Sequence, residues 1–495
     1  MKPTIEQNNI IDLIGKGKNV VVVARAGTGK TTLLKLTAKS FPEKNLLAIY
    51  FNKANVEELN SSTTKPDNLY GTTIHGIAYK AIIKGKFIGK LSPFLDFKDI
   101  DKKNLDYLCE VLKVSEKGIP FIQVDIINII VSTIKSWCNS DSYDIVEFSS
   151  DFIDTLEIGN YNEYKHILLD SVVKHWNLLI SGNVKITHDV YLKMFHLGKY
   201  QITNIWDKSK KQFINIDVIC LDEAQDSNPV TLGILANQQL QKLVVGDPAQ
   251  SIYGWRGAVG TMDSFKSWEQ ASLTMSFRFT QHIAELANVV LTNRGEGNLL
   301  TGLGLPDTSY GDVTLCRKNS TIWAIAYSRA MRGECTYVES DLEGMTNDLF
   351  HISAVLANKV PRFPSKNLSM YMTKEDLIKA SKVHDEIKVL INLVSTMCSF
   401  SGGLAGSLAI LKDHLVSEKT PNVLNVSTIH KSKGLEWNTV TISDDFLSFK
   451  EGESTDLLEG RLCDAEVTSL LYVAVTRAKE SVRFPSYLSN YFGGV

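Results

Sequence analysis

The chain has 495 residues, with 53 Lys and Arg against 55 Asp and Glu, and 44% of its residues are hydrophobic. That length suggests three or four domain-sized pieces, and the composition excludes disorder, collagen and coiled coil as global descriptions. A formal charge of −2 gives no overall attraction for nucleic acid but allows a locally basic groove, because screening limits each charge to about 10 Å.

No apolar run approaches the roughly 18 to 20 residues of a membrane span, and the N-terminus lacks the basic-then-apolar pattern of a signal peptide. A soluble, intracellular protein without a membrane partner is expected. The seven cysteines form no C-x-x-C pair, which argues against a disulfide framework, a zinc knuckle or an iron–sulfur motif. Cys220, within an apolar run, reads as a small buried hydrophobe.

In chain order, Thr4 to Ile14 reads as a helix and Asn19 to Ala24 as a fully buried strand. The loop Arg25 to Gly29 follows, then a helix from Lys30 and a second buried strand, Leu46 to Phe51. Further strands, Asp217 to Leu221 and Gln241 to Val245, end in Asp222-Glu223 and Gly246-Asp247. Buried strands with polar clusters at their C-terminal ends belong to a parallel α/β sheet with a ligand crevice. Residues 81–200 carry mostly helical periodicity, as in Ile134 to Cys138 and Tyr164 to Leu169. A second α/β pattern begins at Leu273 and resumes at Asn422 to Ser443 and Leu470 to Ala478, after a weakly patterned, partly Gly-rich stretch at 331–420.

The segment Ala26-Gly27-Thr28-Gly29-Lys30-Thr31-Thr32 sits between a strand and a helix. Such a loop wraps phosphates with backbone N–H groups, and the helix N-terminus adds its positive dipole end. Lys30 would neutralise the β- and γ-phosphates and the Thr31 hydroxyl would ligate Mg²⁺. Asp222 and Glu223 close a buried strand. Hydrolysis needs one carboxylate on Mg²⁺ and another to orient or deprotonate water, and these two fit those roles in that order.

The run Val245-Gly-Asp-Pro-Ala-Gln-Ser-Ile-Tyr-Gly-Trp-Arg-Gly-Ala258 carries a resemblance. The chain resembles superfamily 1 helicases of the UvrD/Rep/PcrA type. Other motifs of that family appear in order: Gln7, Tyr50-Phe51-Asn52-Lys53, Thr72-Thr73-Ile74-His75, Ser276-Phe277-Arg278, Ser427 to Trp437 and Leu471 to Ala478. Several wordings, including Asp444-Asp445-Phe446, are closest to the F-box DNA helicase branch, although no F-box is expected ahead of a motor whose motifs begin at Gln7.

The resemblance implies two RecA-like P-loop domains with parallel sheets, each carrying an inserted subdomain. Core 1 is expected at 1–80 and 201–271, a helical insertion at 81–200, core 2 at 272–330 and 421–495, and a reduced second insertion at 331–420. The cores would close on ATP at their interface. Gln7 would read adenine, Phe277 would stack on it and Glu436 would reach the ribose. Arg278 and Arg477 would act as arginine fingers, and Gln250 would sense the γ-phosphate.

The implied DNA contacts are Tyr50, Phe51, Lys53, Thr73, His75, Tyr253, Trp255, Thr428, His430 and Lys431, with Lys433 a further candidate. Trp255 in its Gly-Trp-Arg-Gly loop is the foremost stacking residue. Of the adjacent Tyr50 and Phe51, strand alternation turns one toward DNA and the other into the core.

The expected function is an ATP- and Mg²⁺-dependent DNA helicase or translocase moving 3′ to 5′ on single strands, in replication, recombination or repair. Single-stranded DNA and its duplex junctions are the expected partners, with a recombinase or replication protein beside them and the motor a monomer on DNA. The location follows the host: cytoplasmic in a bacterial or viral setting, with the nucleus left open. Rival readings are a translocase that strips recombinase filaments with little unwinding, an RNA motor of the same superfamily, and a nucleotide-gated DNA-binding protein with negligible turnover. The intact hydrolytic set argues against the last.

Overall fold

The computed structural model describes residues 2–93, 95, 123–156, 165–207, 209–252, 262–305, 311–339, 342–362, 365, 368, 371–382, 384–418, 420, 423–446, 465–488 and 491–492. The chain forms two compact units, one of Met1–Ala24 with Gly29–Leu273, the other of Arg25–Thr28 with Thr274–Val495. Among the described residues, no single helix is long and apolar enough to cross a membrane.

The first unit is built on a six-stranded sheet. Its spatial order is Leu69–Thr73, Leu46–Tyr50, Val218–Leu221, Gln241–Gly246, Val20–Ala24 and Glu269–Leu273, and every pairing is parallel. Alternation along the strands divides the core between two faces. Val20 and Val22 join Leu33, Leu46 and Leu243 on one face, beside the helices Ile5–Gly15 and Lys30–Ser40. Val21, Leu47, Ile49 and Val244 lie on the other. After Val20–Ala24 the chain crosses two intervening strands to reach Leu46–Tyr50. The strand ends at Ala24, Leu221 and Gly246 therefore gather where the strand order switches, the position at which such sheets bind ligands.

The second face continues into a helical layer of Gln123–Asn139, Ile145–Asp154, Lys165–Ser181 and His188–Leu197, packed through Ile126, Ile130, Trp137 and Trp176. Within it Lys193 is fully buried. Its ammonium lies 3.7 Å from the Trp137 ring centroid and donates to the carbonyls of Ser140 and Ser142 at 2.9 and 2.6 Å, tying down the end of the 123–139 helix. Burial pushes Lys193 down to about 8. Cys220 is buried in its strand, and burial pushes its thiol up.

The second unit carries another six-stranded parallel sheet, in the order Leu415–Val416, Thr336–Val338, Leu424–Thr428, Asp312–Cys316, Trp437–Ile442 and Ala478–Arg483. Two of these strands, 336–338 and 415–416, were expected in the second insertion and belong instead to the sheet. They are only three and two residues long, too short to show a period. Between them the helices Leu342–Leu356, Lys374–Ser381, Asp385–Ser399 and Gly403–Asp413 share an apolar cluster with Trp323 and Tyr327 of the helix Asn319–Ala330. At the other boundary, Glu269–Leu273 is a strand of the first sheet, so that sheet runs two residues past the expected end at 271.

His196 of the helical layer is 1% exposed, its ring lies 4.5 Å from that of Tyr143, and neither ring nitrogen has a hydrogen-bond partner among the described residues. Burial and the nearby Lys193 charge push its imidazole down to about 4. The unfolded chain takes up a proton near the ordinary value of about 6.5, whereas the folded one does not. The stability from keeping His196 neutral is thus complete above about pH 6.5 and is lost as pH falls toward 4. His196→Phe, which keeps a ring against Tyr143, is expected to flatten this acid-dependent loss when urea midpoints are measured between pH 7 and 4.5.

Candidate active site

The first unit resumes at Gly29, the N-cap of the helix Lys30–Ser40, whose left-handed φ of 83° a side chain would strain. Lys30 stands in the first helical turn. Its Nζ lies 2.7 Å from Glu223 Oε2, and the two side chains are 13% and 22% exposed. Burial alone would lower the Lys30 pKa, but the carboxylates of Glu223, Asp222 and Asp247 outweigh it and hold the ammonium above its ordinary range. The Thr31 hydroxyl lies on the exposed side of the same turn and Thr32 is half-buried.

Asp222 is 3% exposed. Its backbone N–H donates to the carbonyl of Ile49 at 3.0 Å, continuing the strand pairing, and its Oδ1 accepts from Glu223 N at 2.9 Å. Burial, reinforced by the Glu223 charge, pushes its carboxyl up to about 7. Glu223 has φ 53° and ψ 45°, a left-handed backbone costing a non-glycine residue about 1–3 kcal/mol. The twist turns the chain out of the strand and aims the Glu223 side chain at Lys30.

A hydrogen-bonded chain runs on from there. Gln225 Nε2 donates to Glu223 Oε2 at 2.5 Å, Asp247 N donates to Gln225 Oε1 at 3.0 Å, and Gln250 Nε2 donates to Asp247 Oδ2 at 2.6 Å. Gln225, Asp247 and Gln250 are all buried. Neither Gln225 nor Asp247 was singled out from the sequence. Their positions in the Asp-Glu-Ala-Gln and Gly-Asp-Pro runs were the available signal.

Gln7 is the third residue of the first helix. Its Oε1 accepts from Thr4 N at 3.0 Å while Thr4 Oγ1 accepts from Gln7 N at 3.1 Å, a complete capping box. Its Nε2 would lie 3.6 Å from a Cβ at Gly29. The adenine candidate thus also fixes the start of its helix, and its amide lies beside Gly29 at the start of the Lys30–Ser40 helix.

On the same side of this sheet, a cleft of about 560 Å³ is lined by Phe51, Asn52, His75, Asn139, Asp189 and Asn228 among others. Phe51 is 38% exposed and Tyr50 2%. Tyr50, expected among the DNA contacts, also borders the cleft but is nearly fully buried, packed with Leu46 and Val218. Its buried hydroxyl has no hydrogen-bond partner among the described residues. His75 Nε2 lies 3.9 Å from Asp189, Thr73 caps its helix by accepting from Gly76 N at 3.0 Å, and Lys53, 86% exposed, pairs with Glu57. Tyr253 and Trp255 lie outside the described residues.

In the second unit, the segment Arg25–Thr28 runs along Ser276–Arg278. Phe277 N donates to the Gly27 carbonyl at 3.0 Å, and a Cβ at Gly27 would come within 2.4 Å of Ser276 Oγ. Ala26 N donates to the Tyr472 hydroxyl at 3.3 Å and Thr28 Oγ1 to the Arg25 carbonyl at 2.8 Å. Phe277 is 52% exposed. Arg278 Nε lies 3.0 Å from Glu436 Oε2, and Lys479 Nζ lies 3.6 Å from the other oxygen. The ribose candidate Glu436 is thus a partner of two cations here. Arg477 is 1% exposed and donates to the carbonyls of Val473 and Leu435. Thr428, expected at DNA, is instead buried, its Oγ1 accepting from Lys431 N at 3.2 Å. His430 is half-buried, and Lys431 Nζ reaches the carbonyl of Glu339 at 3.1 Å.

Asp222 and Thr31 each offer a hard oxygen of the kind Mg²⁺ prefers. Among the described residues no group of three or more His, Cys, Asp or Glu could hold a metal. Phosphate oxygens and water would have to complete the shell, which is how Mg²⁺ commonly binds in phosphoryl-transfer sites.

Residues 4–267 match the UvrD/REP helicase N-terminal domain and residues 354–488 the UvrD-like helicase C-terminal domain. The chain belongs to the UvrD/Rep helicase family. It is 29% identical to the F-box DNA helicase protein 1 of Schizosaccharomyces pombe, over 96% of this chain and 56% of that protein. It is 28% identical to the F-box DNA helicase 1 of Gallus gallus, over 99% and 50%, and 23% identical to a probable DNA helicase of Mycoplasma pneumoniae, over 93% and 79%. The chain spans about half the length of the two F-box relatives.

The capping role of Gln7 and its expected role toward adenine separate by substitution. Gln7→Glu keeps an acceptor for Thr4 N but removes the amide donor. Its melting temperature is expected to match the parent within about 2 °C, while ATP affinity weakens about tenfold, the worth of one directed hydrogen bond. Thermal melts with equilibrium binding of a fluorescent ATP analogue measure both.

Proposed function

We propose that the chain is an ATP-dependent DNA helicase or translocase that moves 3′ to 5′ along single-stranded DNA, serving replication, recombination or repair. The observation that carries the reading is the Lys30–Glu223 contact of 2.7 Å at the switch point of a parallel sheet whose same side opens a cleft beside Phe51 and His75. One side of the unit thus combines the lysine that opens the Lys30–Ser40 helix, an acid pair and an aromatic-edged groove. Membership of the UvrD/Rep family supports the same reading.

Lys30 would leave Glu223 for the phosphates of ATP, and Glu223, relieved of its cation, would accept a proton from the attacking water. Thr31 and Asp222 would hold Mg²⁺, whose charge would neutralise the phosphate oxygens. Arg278 and Arg477 would offset charge on the γ-phosphate. For Arg278 that requires exchanging its Glu436 partner, and for Arg477 its carbonyl partners. Phe51 would stack a base and His75 would contact the strand.

Steady-state ATP hydrolysis with and without single-stranded DNA tests the motor. DNA is expected to raise kcat about tenfold or more, and Glu223→Gln to lower it about 10² to 10⁴-fold, the usual worth of a positioned base. Tight binding of both ligands without stimulated turnover would replace the motor with a gated binding protein.

The cleft is tested separately. Phe51→Ala is expected to weaken single-stranded DNA binding about tenfold, since stacking contributes roughly 1–3 kcal/mol per base. Tyr50→Phe removes only a buried hydroxyl with no hydrogen-bond partner among the described residues, and leaves DNA affinity unchanged and stability equal or higher. Fluorescence anisotropy and urea melts distinguish these outcomes.

A further inference from the structure

We propose that Gln225 is a positioning residue for the hydrolytic reaction, fixing the Glu223 carboxylate and joining it to Asp247 and Gln250. The inference rests on the ATPase reading above. Glu223 Oε2 receives two donors, Lys30 Nζ at 2.7 Å and Gln225 Nε2 at 2.5 Å. Lys30 is the mobile one of the pair, because a bound phosphate competes for it. Gln225 is 2% exposed, so water does not compete for its amide, and its bond persists when Lys30 turns away.

The residue type follows from the geometry. The far end of side chain 225 must donate to a carboxylate and accept from the Asp247 backbone N–H at 3.0 Å. An amide of glutamine length does both. Glutamate could accept but, ionised, would set one carboxylate against another, and methionine would fill the space and do neither.

Gly246 makes the arrangement possible. A Cβ there would lie 2.8 Å from Gln225 Oε1 and 3.2 Å from Gln225 N, so any side chain would push the amide off its partners. Beyond the amide, Asp247 Oδ2 accepts from Gln250 Nε2 at 2.6 Å. The nucleotide-sensing candidate and the candidate base are thus joined through two buried residues by direct hydrogen bonds. A shift of Gln250 is passed to Glu223 through Asp247 and Gln225.

The test compares the parent with Gln225→Met and Gln225→Glu, measuring kcat and KM for ATP with saturating single-stranded DNA, binding of a fluorescent ATP analogue, and melting temperature. Both variants are expected to lower kcat about 10- to 100-fold, with KM and analogue affinity within about threefold of the parent. The decisive comparison is a double-mutant cycle. In the Glu223→Gln background, under single-turnover conditions, Gln225→Met is expected to have no further effect, because a residue acting through Glu223 loses its effect when the carboxylate is gone. Gly246→Ala, which leaves the amide intact but displaces it, is expected to lower kcat in the same direction.

An unchanged kcat in Gln225→Met overturns the inference. So does an equal loss in the Glu223→Gln background, or a loss that follows KM and melting temperature, since each describes a packing role. Absence of DNA-stimulated turnover in the parent would sink the ATPase reading itself, and the inference with it. Parent turnover with indifferent Gln225 variants would sink only the inference.

Discussion

A buried ammonium held charged by three carboxylates is the constraint around which the first unit is arranged. The Lys30 ammonium is held above its ordinary range at low exposure because Glu223, Asp222 and Asp247 outweigh its desolvation. Those acids can come together only because they end two neighbouring strands of one parallel sheet. Burial, reinforced by the Glu223 charge, in turn lifts Asp222 to about 7.

The sheet explains why the acids stand where they do. Five-residue strands with almost no exposed position require apolar side chains on both faces, and both helical coverings follow from that demand. Polar chemistry is thereby confined to the strand ends. The helical layer on the second face is continuous with the sheet core rather than appended to it. Lys193 and Trp137 carry this further, ending a helix with an ammonium over an indole instead of a surface cap.

How much was legible in the sequence can be argued from single residues. Val20 to Ala24 and Val218 to Leu221 announced themselves as apolar runs punctuated by glycine or acid, and Lys30, Asp222 and Glu223 followed by position. Strands 336–338 and 415–416 were not legible, because two or three residues cannot display a period and their neighbours are helical. Alternation allowed either Tyr50 or Phe51 to be the exposed ring, and only the end of the strand at Tyr50 decided it. Gln7 matched a motif, yet its capping box depends on where the helix starts, which pattern alone places no better than a residue or two. Gln225 escaped notice because its importance lies in the distance between two loops far apart in sequence.

The left-handed backbone at Glu223 has a consequence for how the protein can be improved. Glycine or asparagine would occupy that conformation at lower cost, so selection for thermal tolerance alone will favour replacing Glu223. The strain survives only where a carboxylate is required at that corner. Engineering the chain for heat resistance therefore meets a trade-off between stability and activity at this residue, and gains must be sought in the helical layers, away from the strand ends.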